Sequence, residues 1–140
     1  MEQSVDPLQR LRHELTHPPF HGFLRPAPVS VDAKAGIVVI RLPFRPEFRR
    51  AEDASDYHGG VIAALIDLSA HAAIAVQIGR MAPTIDLRID YLRAAPGVDL
   101  VATAKVLRLG KTIGRADVEI AGEGTPLLAV GRGTFSTLNL

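Results

Sequence analysis

Hydrophobic positions change their spacing along this chain, and the changes mark its elements. Leu8, Leu11 and Leu15 recur at helical intervals, which predicts a short amphipathic helix over 5–16, stopped by Pro18 and Pro19. Residues 17–23 read as a turn-rich connection. Extended stretches over 29–33 and Ile37–Leu42 flank Gly36, a hairpin signal. Residues 43–57 are irregular and charged, and long loops of this kind tend to carry function. A long apolar run then opens at Gly59 and Gly60, ends near Ile78 and meets Gly79, which predicts one helix about 30 Å long. After it the period falls to two. Thr84–Tyr91 alternates Ile85, Leu87, Ile89 and Tyr91 with polar residues, and strands follow over 98–109, 113–121 and 127–137. Their short links, rich in Gly and Pro, predict hairpins and antiparallel pairing.

The long helix has two unlike sides. Ile62, Leu65, Ile66 and Val76 make one bulky side for a core. Ala63, Ala64, Ala70, His71 and Ile74 surround Asp67 on the other, where something can approach the backbone. The run is long enough to span a membrane, but Asp67, Ser69, His71 and Gln77 interrupt it, so a buried core helix in a chain without a membrane partner is expected. Six strands and one dominant helix give an α+β fold with the sheet curled over the helix. One domain over 1–140 is expected, with 1–26 as an N-terminal helix and connection.

Composition narrows the chemistry. The chain has 140 residues, 47% of them hydrophobic, and no cysteine. That excludes a disulfide scaffold, a thiolate nucleophile and zinc–thiolate or iron–sulfur sites. With 16 basic and 15 acidic residues it lacks the basic excess of a nucleic-acid binder, so no nucleic-acid partner is expected. The polar opening shows no signal-peptide pattern, and a cytoplasmic location is expected. The five histidines show no metal spacing: His17 and His21 are four apart but straddle Pro18 and Pro19. No metal and no cofactor are expected.

Two features carry candidate chemistry. His58, Gly59 and Gly60 open the long helix, whose first amides are unpaired and positively polarised, and glycine admits a substrate to them. Such amides can hold a developing oxyanion. Asp67, eight residues after Gly59, is a carboxylate in an apolar helix centre. It must be paired or face a cleft, where it can act as general base or nucleophile. Gly110-Lys111-Thr112 lacks the earlier glycine of a phosphate-binding loop, because Lys105 stands there. Arg45, Arg49 and Arg50 read as a solvated cluster.

The run His58-Gly59-Gly60-Val61-Ile62-Ala63-Ala64-Leu65-Ile66-Asp67 resembles the signature of hotdog-fold thioesterases of the phenylacetic-acid-degradation type. The strand from Thr84 to Arg93 and the segment Val106 to Thr112 resemble the elements that follow it. The resemblance covers about residues 35–137. It implies a hotdog fold, a homodimer or dimer of dimers, and hydrolysis of acyl-CoA thioesters, with coenzyme A present only as part of the substrate. It gives Asp67 the role of activating water or attacking the carbonyl, and Gly59 that of polarising the carbonyl with its amide from the other subunit. His58 begins the motif, Gly60 continues it, and Thr84 lies near the acyl site. Two positions depart from the pattern: Glu52 stands where many relatives carry Asn or Gln, and His71 where many carry Thr or Ser. His71, one turn after Asp67, can orient the carboxylate or its water. Arg108 and Lys111 are candidates for the coenzyme A phosphates. A non-catalytic acyl-CoA-binding or sensing module on the same scaffold, and a purely structural oligomer, are the alternatives.

Overall fold

The computed structural model describes residues 5–139. Helix α1 spans Pro7–Thr16, and Leu11 and Leu15 on its inner face are buried. Pro18 and Pro19 do stop it, but the following stretch is not merely a connection: Pro19–Leu24 forms a second short helix, α2. A proline at a helix start costs nothing there, because its missing N–H has no helical partner anyway. Arg25, at φ +60°, closes α2.

Strands β1 (Ala27–Asp32) and β2 (Ile37–Leu42) form the expected hairpin through Gly36, whose φ of +70° favours glycine. The long loop after β2 holds one 3-10 turn at Pro46–Phe48 and is anchored by buried Phe48 and Tyr57. The Tyr57 hydroxyl donates to the Val98 carbonyl, and the Phe44 amide donates to Asp99. Helix α3 runs Gly59–Ile78 and ends on Gly79 at φ +73°. Strands β3 (Thr84–Tyr91), β4 (Leu100–Leu109), β5 (Ile113–Gly122) and β6 (Leu127–Ser136) complete the chain.

The six strands make one antiparallel sheet in the order β1-β2-β4-β5-β6-β3, folded against α3. This is the hotdog architecture. It corrects one expectation: the link after β3 is not a hairpin. β3 pairs with β6, while β4 crosses the sheet to lie beside β2. Sequence spacing gives the length of a link but not the side on which the next strand joins. β3 is therefore an edge strand.

Glycines in the sheet seat the helix. A Cβ on Gly131 would lie 2.5 Å from Ile66 Cγ2, one on Gly133 would lie 3.1 Å from Ala70, and one on Gly114 would lie 2.9 Å from Ile74. Ala70 and Ile74 thus belong to the buried sheet side of α3, not to the open side around Asp67. α3 is apolar and long enough to cross a membrane by composition, but it is the helix on which this core is built.

Candidate active site

The two candidate features sit at different places on α3. At its start, His58 is the N-cap and its Nδ1 accepts the Gly60 amide at 2.8 Å. That satisfies one of the orphan amides and leaves Gly59, the first helical residue, with an N–H that has no acceptor inside the helix. The resemblance gives Gly59 the polarising amide and Gly60 a place in substrate binding; the structure gives the two amides different surroundings. Gly60 belongs to the cap, and a Cβ there would lie 2.9 Å from His58 Nδ1. Gly59 is covered on one side by Tyr91, whose hydroxyl donates to the Gly59 carbonyl at 2.7 Å. Tyr91 was legible only as a strand residue, since nothing in its alternation says that it reaches the helix start.

Two turns further on, Asp67 is half-buried and makes no ion pair among the described residues. Its Oδ1 accepts the Thr84 hydroxyl at 2.9 Å. Strict alternation in β3 would put Thr84 on the far face of the sheet with Asp86 and Arg88. The register instead slips at Ile85, because Thr84 pairs with Phe135 while Asp86 pairs with Thr134. That bulge turns Thr84 toward the helix and leaves Ile85 57% exposed, against the expectation that it shares the face of Leu87 and Ile89. The Thr84 bond orients the carboxylate and leaves Oδ2 without a partner among the described residues.

Around Asp67 lies a cleft of about 140 Å³, lined by Ala64, Leu68, His71 and Thr84 on one side and by Pro18, Phe20 and His21 of the N-terminal arm on the other. His71 does share the Asp67 face. Its Nε2 accepts the Ala82 amide at 3.1 Å, and its Nδ1 faces Glu14 Oε2 at 3.9 Å. Burial holds its pKa below the ordinary histidine value, against the pull of Glu14 and Asp67. With a backbone N–H aimed at Nε2, the proton belongs on Nδ1 and the ring is neutral. His71 is thus a fixed strut that ties α3 to the turn before Thr84, not a cation beside Asp67.

Sequence reasoning missed Glu14, His21 and Phe20. Glu14 follows Leu11 by three residues and so lies on the apolar stripe of α1, which was the available signal. It is only 5% exposed and pairs with Arg10.

The remaining predicted residues lie elsewhere. Glu52 is exposed in the long loop, does not line the cleft, and uses its carbonyl to accept from Arg49. Arg108 and Lys111 sit on the β4–β5 hairpin with Arg115, around a separate surface cleft of about 180 Å³. Counting strands from Thr84 through Phe135 and Gly114 to Leu109 puts that hairpin about 14 Å to the side, at the same end of the sheet. The described residues bring together no group of three His, Asp or Glu suited to a metal.

A family model described as "Thioesterase superfamily" matches residues 55–129, which include both ends of this site. The chain belongs to the thioesterase superfamily. A relative from Halobacterium salinarum is 37% identical over 127 residues, 82% of this chain and 83% of its own. Human acyl-coenzyme A thioesterase 13 is 34% identical over 107 residues, covering 74% of this chain and 75% of its own. The fold is also that of the Escherichia coli PaaI protein from the phenylacetic acid degradation operon, at a TM-score of 0.80 and 24% identity over 96% of this chain and 97% of that one. As a superfamily member the protein is a thioester hydrolase. Of the residues that line its cleft, Ala64, Asp67, Leu68, His71 and Thr84 fall inside the matched segment, whereas Pro18, Phe20 and His21 fall before it.

Proposed function

We propose that this thioesterase hydrolyses acyl-CoA to a free acid and coenzyme A, with Asp67 as the base that activates water. The observation that carries the reading is a half-buried carboxylate with no counter-ion among the described residues, one oxygen fixed by Thr84 and the other free in a cleft. The human relative's name supports acyl-CoA as the substrate class. Water attacks the acyl carbon as Asp67 takes its proton, and the sulfur leaves as a thiolate, a good leaving group.

The carbonyl oxygen needs a donor as it gains charge, and the Gly59 amide is free to supply one. Gly59 and Asp67 of one chain, however, are eight helical residues or about 12 Å apart. One carbonyl cannot meet both, so the donor comes from a second copy. The unpaired edge of β3, where Ile85 is 57% and Tyr91 52% exposed, gives a second copy a surface to cover. The enzyme is then a homodimer or a dimer of dimers.

A thiol-release assay over short, long and aromatic acyl-CoAs, run with light scattering, tests the reading. Turnover of at least one class by a species of twice 15.0 kDa or more is the expected result. No release from any of them would overturn the substrate assignment. Full activity in a monomer would overturn the shared site.

A further inference from the structure

The cleft beside Asp67 holds two histidines whose hydrogen bonds allow them different proton inventories. His71 receives the Ala82 amide on Nε2, so it cannot take a second proton without losing that bond. His21 is arranged the opposite way. Its Nδ1 lies 2.9 Å from the Glu14 carbonyl oxygen, an acceptor only, so Nδ1 carries the proton. Its Nε2 has no partner among the described residues and is not sealed from solvent. The ring, which lines the cleft, can therefore gain a proton on Nε2 with every existing bond intact.

The arm that carries His21 is held in place. Arg10 pairs with Glu14 on α1, and Glu14 in turn faces His71 of α3. The Arg45 guanidinium lies over the Phe23 and Phe48 rings and donates to the Phe23 carbonyl, which fixes α2 against the long loop. The His21 ring lies on the Glu14 carbonyl of α1 and shares the cleft lining with Asp67 and His71 of α3, and His71 in turn feels the charges of Glu14, Asp67, His21 and Arg10. His17, four residues earlier, stacks on His13.

We propose that His21 is the proton acceptor of the Asp67 cleft, and this rests on the acyl-CoA thioesterase reading above. When water adds to the acyl carbon, its proton passes to Asp67. The C–S bond breaks, the sulfur leaves with the bonding pair, and Asp67 returns that proton to the sulfur. The product is then a carboxylic acid beside the Asp67 carboxylate. At neutral pH the product acid must lose its own proton, and two carboxylates confined in one cleft repel each other. His21 Nε2 takes the product's proton, its positive charge offsets the second carboxylate, and it discharges the proton to bulk water as the acid departs. Histidine suits this because, as a residue type, it changes charge between about pH 5 and 8.

The test compares His21→Ala and His21→Gln with the wild-type enzyme in the thiol-release assay, from pH 5 to 9. The expected result is a fall in kcat of roughly a hundredfold near neutral pH, the low end of what proton transfer supplies. The acid limb of the profile should also move to lower pH, and added imidazole should restore His21→Ala in proportion to its concentration. A profile that matches wild type in both variants would overturn the proposal. So would a uniform loss at every pH with no response to imidazole, which assigns His21 to packing. A wild-type enzyme inactive on every acyl-CoA would instead overturn the substrate reading, so the two failures are distinguishable.

Discussion

The two sides of α3 are built on opposite rules. Its sheet side is closed by subtraction: Gly114, Gly131 and Gly133 remove side chains so that Ile74, Ile66 and Ala70 can sit against the strands. Its arm side is held open by polar struts. There Thr84 meets Asp67, the Ala82 amide meets His71, and Glu14 reaches across from α1. Dispersion and apolar burial stabilise the first side, and any added atom strains it. Hydrogen-bond geometry defines the second, where an added atom has room but a changed proton does not. Substitutions on the sheet side should therefore appear in melting temperature and those on the arm side in rate or pH dependence.

The largest effect expected is on the arm side. Asp67→Asn keeps the shape of the side chain and can still accept from Thr84 Oγ1, but removes the base. kcat should fall about a hundredfold or more, as for loss of a general base, with melting temperature and assembly little changed. Wild-type turnover in the folded variant would move Asp67 to the structural side of the comparison.

Next comes the sheet side. A Cβ at Gly131 would lie 2.5 Å from Ile66 Cγ2 and 3.0 Å from the Arg88 carbonyl oxygen. The isoleucine tip can shift, but the backbone oxygen cannot shift without disturbing the β3–β6 ladder. Gly131→Ala should destabilise the fold by about 1–3 kcal/mol, typical of overpacking, and lower the melting temperature by several degrees. The same variant, assayed well below that temperature, should retain most of its kcat. A large kcat loss with no change in melting would mean that the two sides are not separable.

Much of the sheet side was legible in the sequence. The bounds of α3 follow from Gly59 at one end and Gly79 at the other, and β5 shows its buried face directly as Ala116, Val118 and Ile120. Strand order was not legible, because the link from β3 to β4 is short yet passes the two strands β6 and β5. The arm side was legible only in part. Asp67, Gly59 and His71 stand out as residue types at telling intervals. Thr84 entered through resemblance, since period two alone points it away from the helix and only the bulge at Ile85 brings it back. Glu14 and His21 come from a segment remote in sequence, and no local pattern announces that α1 and α2 fold over Asp67.

The smallest expected effect separates the two sides by pH. Burial depresses the His71 pKa in the folded chain, so between the unfolded value, about 6.5, and the lower folded value the unfolded state binds more protons. The stability that His71 contributes as a neutral strut is complete above about pH 6.5 and is lost as the pH falls through that window. Half-buried carboxylates respond elsewhere. Asp56, held down by Arg50, and Asp99, held down by the Phe44 amide and Arg41, lose their contributions only below their ordinary value of 3.8. A melting series from pH 7.5 to 5 therefore reads histidines rather than carboxylates, and a His71 variant beside wild type isolates His71. His71→Gln keeps an acceptor for the Ala82 amide but has no titrating proton, so its melting temperature should fall less over that interval than that of wild type. The difference should be smaller than the Gly131→Ala effect. Parallel curves for the two proteins would mean that the imidazole titrates alike folded and unfolded, and burial would then not be what keeps His71 neutral.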